Sequence, residues 1–476
     1  MTASHFPPAL TTAEPDAGHR VWAGSRLAQR WLSLAAWLRA SLAAPLAHSR
    51  LAPQADHLAL VMLVALLVAS PWVGTGLNAV LVLLATGCVV LRLLHCPRPR
   101  ARFNTLDLLV LSYVACHLVA TAFSPFFLAS LKGLAKMMVY WAAYFSFRQV
   151  LLNERAAFFL LTALVTTAGL ESAYGIYQWV VGVEPLANWE DPEALDPLTR
   201  VYGSLMNPNL LAGYLLPVFP LALAAAATSS GRWRWLAIAT AAAAPACIFF
   251  TYSRGAYLAW LASVGVFAAL ALHTSWPWLK QRRAWLAGLA TGGLAVGGLV
   301  VWRILSSQAL LDRIASIFTL RGHSSNSFRV NVWHGVVQMV QDNWAFGIGI
   351  GNAAFRKMYS LYMVSGYEAL GAYNIFLEVL AEMGVLGLLV FLTLLGWVVL
   401  QHLRGIARGD RPTRWFSVAM LASMTAIAVM GLFDTVYYRP AVQLQFWLLL
   451  ALTVYHSERL SLLPSPPSVS GVHPSP

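Results

Sequence analysis

Arg200, Arg254, Arg329 and Arg439 each lie in a connection between long apolar runs of the chain. A guanidinium group stays charged and presents a planar fork of N–H donors. Several that converge therefore suit an oxyanion, above all phosphate or diphosphate. A diphosphate leaving group needs such a clamp, because charge gathers on it as a glycosyl bond breaks. Arg200 precedes Asn207, Pro208 and Asn209, a helix start with unpaired N–H groups; the two asparagines are candidate anion or lipid contacts. Arg254 belongs to the sharp turn from Thr251 to Gly255, and Arg439 ends the turn that begins at Asp434. The competing reading is that these arginines meet lipid headgroup phosphates, or the carboxylates of Glu190, Asp196, Asp312 and Asp434.

Other residue types point the same way without deciding it. Lys132 and Lys136 are one helical turn apart in an apolar segment, so they share a face. They either line a polar cavity and contact an anion or lipid, or snorkel from a helix end. Glu378 and Glu382 are spaced i, i+4 and are acid/base candidates, with holding the arginines as the alternative role. His323 and His334 are further acid/base candidates in the same region, against an ordinary surface or packing role. Gly347, Gly349 and Gly351 resemble a phosphate loop superficially. They lack the Lys-Ser/Thr of a P-loop, and close backbone approach explains them.

The elements that position these residues are helices in a membrane. Hydrophobic residues make up 59% of the 476, charged residues 11%, and mean hydropathy is +0.64. A soluble domain carries roughly a quarter charged residues. Apolar runs of about twenty residues match a hydrocarbon core about 30 Å thick. They place helices near 57–73, 76–94, 105–123, 127–147, 157–180, 207–228, 235–252, 256–273, 285–303, 375–400, 416–433 and 440–456. The fold expected is all-α and polytopic, with about twelve spans. A net charge of +13 invites a nucleic-acid reading. Basic residues concentrated in alternate connections explain it better, and they put both termini on the cytoplasmic side of the inner membrane. Residues 1–56 form a cytoplasmic segment without a cleavable signal peptide. Within it, Trp22, Leu27, Trp31, Leu34 and Leu38 recur at the spacing of an interfacial amphipathic helix, a disordered basic arm being the alternative. Helices one to nine occupy 57–303, a periplasmic segment 304–373, helices ten to twelve 374–456, and a disordered tail 457–476. The four cysteines show no metal-ligand spacing and read as free thiols.

The stretches Arg200–Asn209 and Tyr252–Gly255 resemble the O-antigen ligase and Wzy-polymerase superfamily. So do Asn326–Trp333, the glycine-rich Asp342–Asn352, and Tyr373–Gly384. Within it, Ser124-Pro125, Gly133–Lys136, Thr199–Tyr202 and Asp434–Pro440 look most like the IctB branch of photosynthetic bacteria. The resemblance implies glycan transfer from a polyprenyl-diphosphate donor to an acceptor hydroxyl at the periplasmic face, without metal or other cofactor. The branch label implies a bicarbonate (inorganic carbon) transporter instead. Ligases of the superfamily carry a histidine before the asparagine of the post-loop helix, and here Tyr373 holds that place. A phenol titrating near 10 is a poor base unless the arginines lower it.

Overall fold

A computed structural model describes residues 16–95, 103–184, 200–282 and 324–462, with isolated positions between 283 and 323. The described residues form a helical bundle. In chain order the helices are α1 (Ala17–Ala23), α2 (Arg26–Ala47), α3 (Ala55–Ala69), α4 (Thr75–His95), α5 (Thr105–Ala122) and α6 (Phe127–Val150). Then follow α7 (Glu154–Val181), α8 (Pro208–Leu215), α9 (Val218–Thr228), α10 (Gly231–Phe250) and α11 (Arg254–Leu279). The last five are α12 (Ser324–Asp342), α13 (Asn352–Tyr359), α14 (Ile375–Arg408), α15 (Arg411–Gly431) and α16 (Pro440–Ser461).

Among the described residues, nine helices are long and apolar enough to cross a membrane, α8 and α9 together forming one of them. Leu83, Val180, Leu386 and Leu389 lie exposed on their surfaces, as lipid-facing side chains should. Two further long helices, α6 and α16, are more polar. Lys132 and Lys136 interrupt α6; Gln443, Gln445 and His456 interrupt α16. Their position explains the tolerance. Every residue of α16 from Ala441 to His456 is buried, against α6, α14, α8 and α3. A helix enclosed by protein can keep polar groups that find partners: Gln445 Nε2 donates to the Tyr214 carbonyl at 3.2 Å. The expected span at 285–303 lies mostly outside the described residues. The expected 207–228 span is broken at Leu216-Pro217, and α16 runs beyond 456 to Ser461.

A charge cluster ties together the ends of α5, α6 and α16. Arg148, 3% exposed, bonds Asp107 at 3.1 Å and Glu458 at 3.0 Å, and the Tyr144 hydroxyl donates to Asp107 at 2.7 Å. Leu27, Trp31, Leu34 and Trp37 leave α2 with an exposed apolar surface, while Arg39 Nε bonds the Leu93 carbonyl at the end of α4.

At the other end of the bundle, α14 is broken. Gly384 has φ +67° and ψ −170°, which frees carbonyls that a continuous helix would use. The segment 344–351 fills the gap as a strap. Ile348 N–H donates to the Ala381 carbonyl at 2.8 Å, Gly349 N–H to that of Glu382 at 3.1 Å, and Val385 N–H to that of Trp344 at 2.8 Å. The strap also crosses α5 and α6: Ser124 Oγ donates to the Ile348 carbonyl and Ser130 Oγ accepts from Ile350 N–H, both at 2.7 Å. Gly349, at φ +94°, has no room for a Cβ beside Ser124 and Ser130. Gly349→Ala is therefore expected to destabilise the protein by about 2–5 kcal/mol, combining an unfavourable backbone region with overpacking. Thermal unfolding in detergent measures this; an unchanged midpoint would mean that the strap is not fixed in this way.

Candidate functional site

A cavity of about 980 Å³ opens beside the strap. Four helix N-termini reach its wall, those of α8 at Asn207, α11 at Arg254, α13 at Asn352 and α16 at Pro440. The Asn207 side chain caps α8, accepting from Asn209 N–H at 2.9 Å and Leu210 N–H at 3.1 Å. The N-caps of α11, α13 and α16 make no side-chain cap hydrogen bond. The first N–H groups of such a terminus have no acceptor within the helix and carry about half a positive charge, though Pro440, at the start of α16, has no N–H to offer.

Arg200, Arg254, Arg329 and Arg439, the four arginines singled out from sequence, all line this cavity. Arg200 is held firmly: its Nε donates to the Thr251 carbonyl at 2.9 Å and its Nη2 to Asn209 Oδ1 at 3.0 Å. Asn209 Nδ2 in turn donates to Asp434 Oδ2 at 2.8 Å. Asp434 therefore orients Arg200 through Asn209. Arg254 comes from the first position of α11, immediately after the turn whose Thr251 carbonyl Arg200 binds. Arg329 stands on α12 and Arg439 at the start of α16.

Lys132, Lys136, Glu378, Glu382 and Tyr373 line the same cavity. Among the described residues, the carboxylates of Glu378 and Glu382 are held by backbone N–H groups. Glu378 Oε2 accepts from Ala372 N–H, and Glu382 Oε1 accepts from Gly351 N–H at 2.6 Å. Glu378 thus fixes the loop before Tyr373, and Glu382 fixes the end of the strap. Glu382 Oε2 is buried on the cavity wall beside the Tyr438 hydroxyl, a polar pair through which a proton could pass. Trp333 Nε1 also steadies the Tyr373 loop, donating to the Ala372 carbonyl at 2.9 Å. Burial pushes the Tyr373 hydroxyl above its usual value and Asp434 adds to the rise, so Arg329 and Arg439 do not turn it into a base. His334 is exposed and off the cavity wall, and His323 lies outside the described residues.

Among the described residues, the non-glycine residues with positive φ are Met206, Tyr252 and Tyr373. Each immediately precedes a helix N-cap, Asn207, Ser253 or Asn374. Such conformations cost of order 1–3 kcal/mol and persist where surrounding structure imposes them, often at functional sites. The turn from Thr251 to Gly255 was expected, but aromatic and sulfur side chains at these positions give no sign of a positive φ.

Residues 237–392 match the family model described as Wzy_C, O-antigen ligase. The match runs from α10 through Arg254, Arg329, the strap, Tyr373, Glu378 and Glu382. It supports the O-antigen ligase and Wzy-like superfamily without separating its branches. No curated protein matches the chain. Arg200, Asn209 and Arg439 fall outside the matched stretch, yet the fold brings them to the same cavity as Arg254, Arg329, Glu378 and Glu382.

Asn209→Ala removes both the Arg200 contact and the link to Asp434. Hydrogen bonds to charged groups contribute about 1.5–3 kcal/mol. Affinity for inorganic pyrophosphate, measured calorimetrically, is accordingly expected to fall by about ten- to a hundredfold. Unchanged affinity would separate Arg200 from anion binding.

Proposed function

We propose that this multi-pass membrane protein transfers a glycan from a polyprenyl-diphosphate donor to an acceptor hydroxyl, at the periplasmic end of the bundle. The observation that carries the reading is the convergence of four arginines and three uncapped helix N-termini on a cavity that also holds a buried carboxylate, Glu382. A volume of about 980 Å³ suits a ligand of many heavy atoms, which favours a glycan over a small anion such as bicarbonate.

Arg200 and Arg254 hold the diphosphate of the donor, with Arg329 and Arg439 completing the clamp. The acceptor oxygen attacks the anomeric carbon and forms the new C–O bond. The bond from that carbon to the diphosphate oxygen breaks, its electron pair leaving with the polyprenyl diphosphate. Arginines and helix dipoles are fixed before the reaction and stabilise the charge where it develops. Glu382 Oε2 takes the proton of the acceptor hydroxyl. Tyr373 stays a neutral phenol and serves as a hydrogen-bond donor at the cavity wall.

Purified protein is expected to bind farnesyl diphosphate, and Arg254→Ala to bind it at least about tenfold more weakly, the size of one charged contact. A folded wild type that binds none would overturn the reading.

Turnover is followed as polyprenyl diphosphate released from lipid-linked glycan. Glu382→Gln should slow it by about a hundredfold or more while farnesyl diphosphate still binds, as expected for loss of a general base. Tyr373→Phe should leave the rising limb of the pH profile in place, because a hydroxyl raised above 10 loses no proton below that pH. A limb that disappears in Tyr373→Phe would transfer the base role to the phenol.

A further inference from the structure

The segment that brings Arg200 to the cavity is held by α7, a helix that does not itself line the cavity. Four successive backbone N–H groups after Arg200 find acceptors within the protein. Val201 donates to the Phe250 carbonyl at 3.2 Å, Tyr202 and Gly203 to Gln178 Oε1 at 3.1 and 2.8 Å, and Ser204 to Glu171 Oε2 at 3.1 Å. Glu171, Gly175 and Gln178 recur along α7 at helical spacing and so form one stripe. Gly175 lets that stripe approach its neighbours, since a Cβ there would collide with Cys247 Sγ.

Glu171 is fully buried, in a helix long and apolar enough to cross the membrane. An ionised carboxylate in such a place needs a cation. No ion pair among the described residues includes it, and its titratable neighbours Tyr214 and Cys247 carry no positive charge. Hydrogen-bond counting points to its state. Ser204 Oγ lies 2.5 Å from Glu171 Oε1 and 3.1 Å from the Pro71 carbonyl. A hydroxyl has one hydrogen, whereas a carboxylate and a carbonyl only accept. With Glu171 ionised, one of these two acceptors goes without a donor. With Glu171 protonated, Oε1–H donates to Ser204 Oγ, Ser204 donates onward to Pro71, and every group is paired.

We propose that Glu171 is a neutral carboxylic acid and a positioning residue for Arg200. It ties α7 to the Arg200 segment and, through Ser204, to Pro71 in the turn between α3 and α4. Gln178 acts beside it, one neutral acceptor oxygen serving two N–H groups. Neutrality suits the place, because a negative charge behind Arg200 would offset the positive potential that the clamp directs at an anion. Naming that anion as the donor diphosphate rests on the transferase reading; the neutral link does not.

Infrared difference spectroscopy and amide hydrogen exchange on the full-length protein in phosphatidylcholine nanodiscs test the proposal. Subtracting Glu171→Gln from wild type should leave the carbonyl band of a protonated carboxyl, sensitive to deuteration. A carboxylate band in its place would overturn the neutral state. Ser204→Ala should shift the protonated band, because the acid then loses its acceptor; an unmoved band would overturn the chain to Pro71. Exchange at Tyr202–Ser204 should keep the wild-type rate in Glu171→Gln, whose amide still donates to Ser204 Oγ and accepts from its N–H. In Glu171→Ala it should rise about tenfold or more, the effect of a buried N–H left without its acceptor. Unchanged exchange at Ile348–Ile350 in the strap shows that this variant has folded; if it has not, the Ser204→Ala band decides. Equal loss of protection in both Glu171 variants, or none in Glu171→Ala, would overturn the positioning role. Farnesyl diphosphate affinity should follow exchange, unchanged in Glu171→Gln and about tenfold weaker in Glu171→Ala. Unchanged affinity in Glu171→Ala despite faster exchange would detach the link from Arg200. If wild type binds none, the transferase reading falls while the infrared and exchange results still judge the link.

Discussion

The break in α14 at Gly384 sets the architecture of the cavity. Within a bilayer, backbone N–H and C=O groups must find partners inside the protein, and a helix normally supplies them. Interrupting one exposes carbonyls that need another donor. The strap from Trp344 to Gly351 meets that need at Ala381 and Glu382, and α14 returns the favour through Val385 N–H. The strap can lie so close because Gly347, Gly349 and Gly351 present no Cβ to α14, Ser124 or Gly133. Glu382 then secures the strap's last residue, and α13 starts from it. A single backbone exchange thus fixes the position of a carboxylate and of a helix N-terminus.

The same economy of backbone groups recurs around the cavity. Met206, Tyr252 and Tyr373 turn the chain through an unfavourable φ just before a helix begins, so three helices start abruptly. The first two starts place Asn207 and Arg254 at the wall; the third places Tyr373 there, with Glu378 one turn into α14. Helix N-termini attract anions without needing a charged side chain, and arginines beside them add charge that does not titrate. Hydrogen bonds within the protein hold Arg200, Glu378 and Glu382 in place, the kind of preorganisation that electrostatic stabilisation of a leaving group requires.

Much of this was legible in the sequence. Hydropathy located the nine candidate spans among the described residues because lipid exposure demands continuous apolar runs, and the arginines placed in connections between such runs pointed to Arg200, Arg254, Arg329 and Arg439. The glycine series was rightly read as close backbone approach. Other features left no local mark. Gly384 sits between Met383 and Val385 in an apolar stretch whose periodicity continues past it, so the break depends on a strap that arrives from far along the chain. Glu378 and Glu382 were visible as a pair, but their backbone partners, Ala372 and Gly351, were not. Polarity in α6 and α16 signals two different situations, a cavity wall in one and enclosure by neighbouring helices in the other.

That distinction bears on how charge is used in the bundle. Arg148 is buried among Asp107, Glu458 and Tyr144, so its charge is matched within the fold; removing a partner from such a cluster costs about 3–5 kcal/mol. Lys132 and Lys136, on the same helix, have no such match among the described residues and face open volume. A fold that neutralises one buried cation so completely could have neutralised the others with a carboxylate from α4 or α13. It leaves them on the cavity wall, which they share with Glu378 and Glu382. Exposed on the cavity wall, the two lysines keep their charge solvated, whereas Arg148 depends on the carboxylates that the fold brings to it.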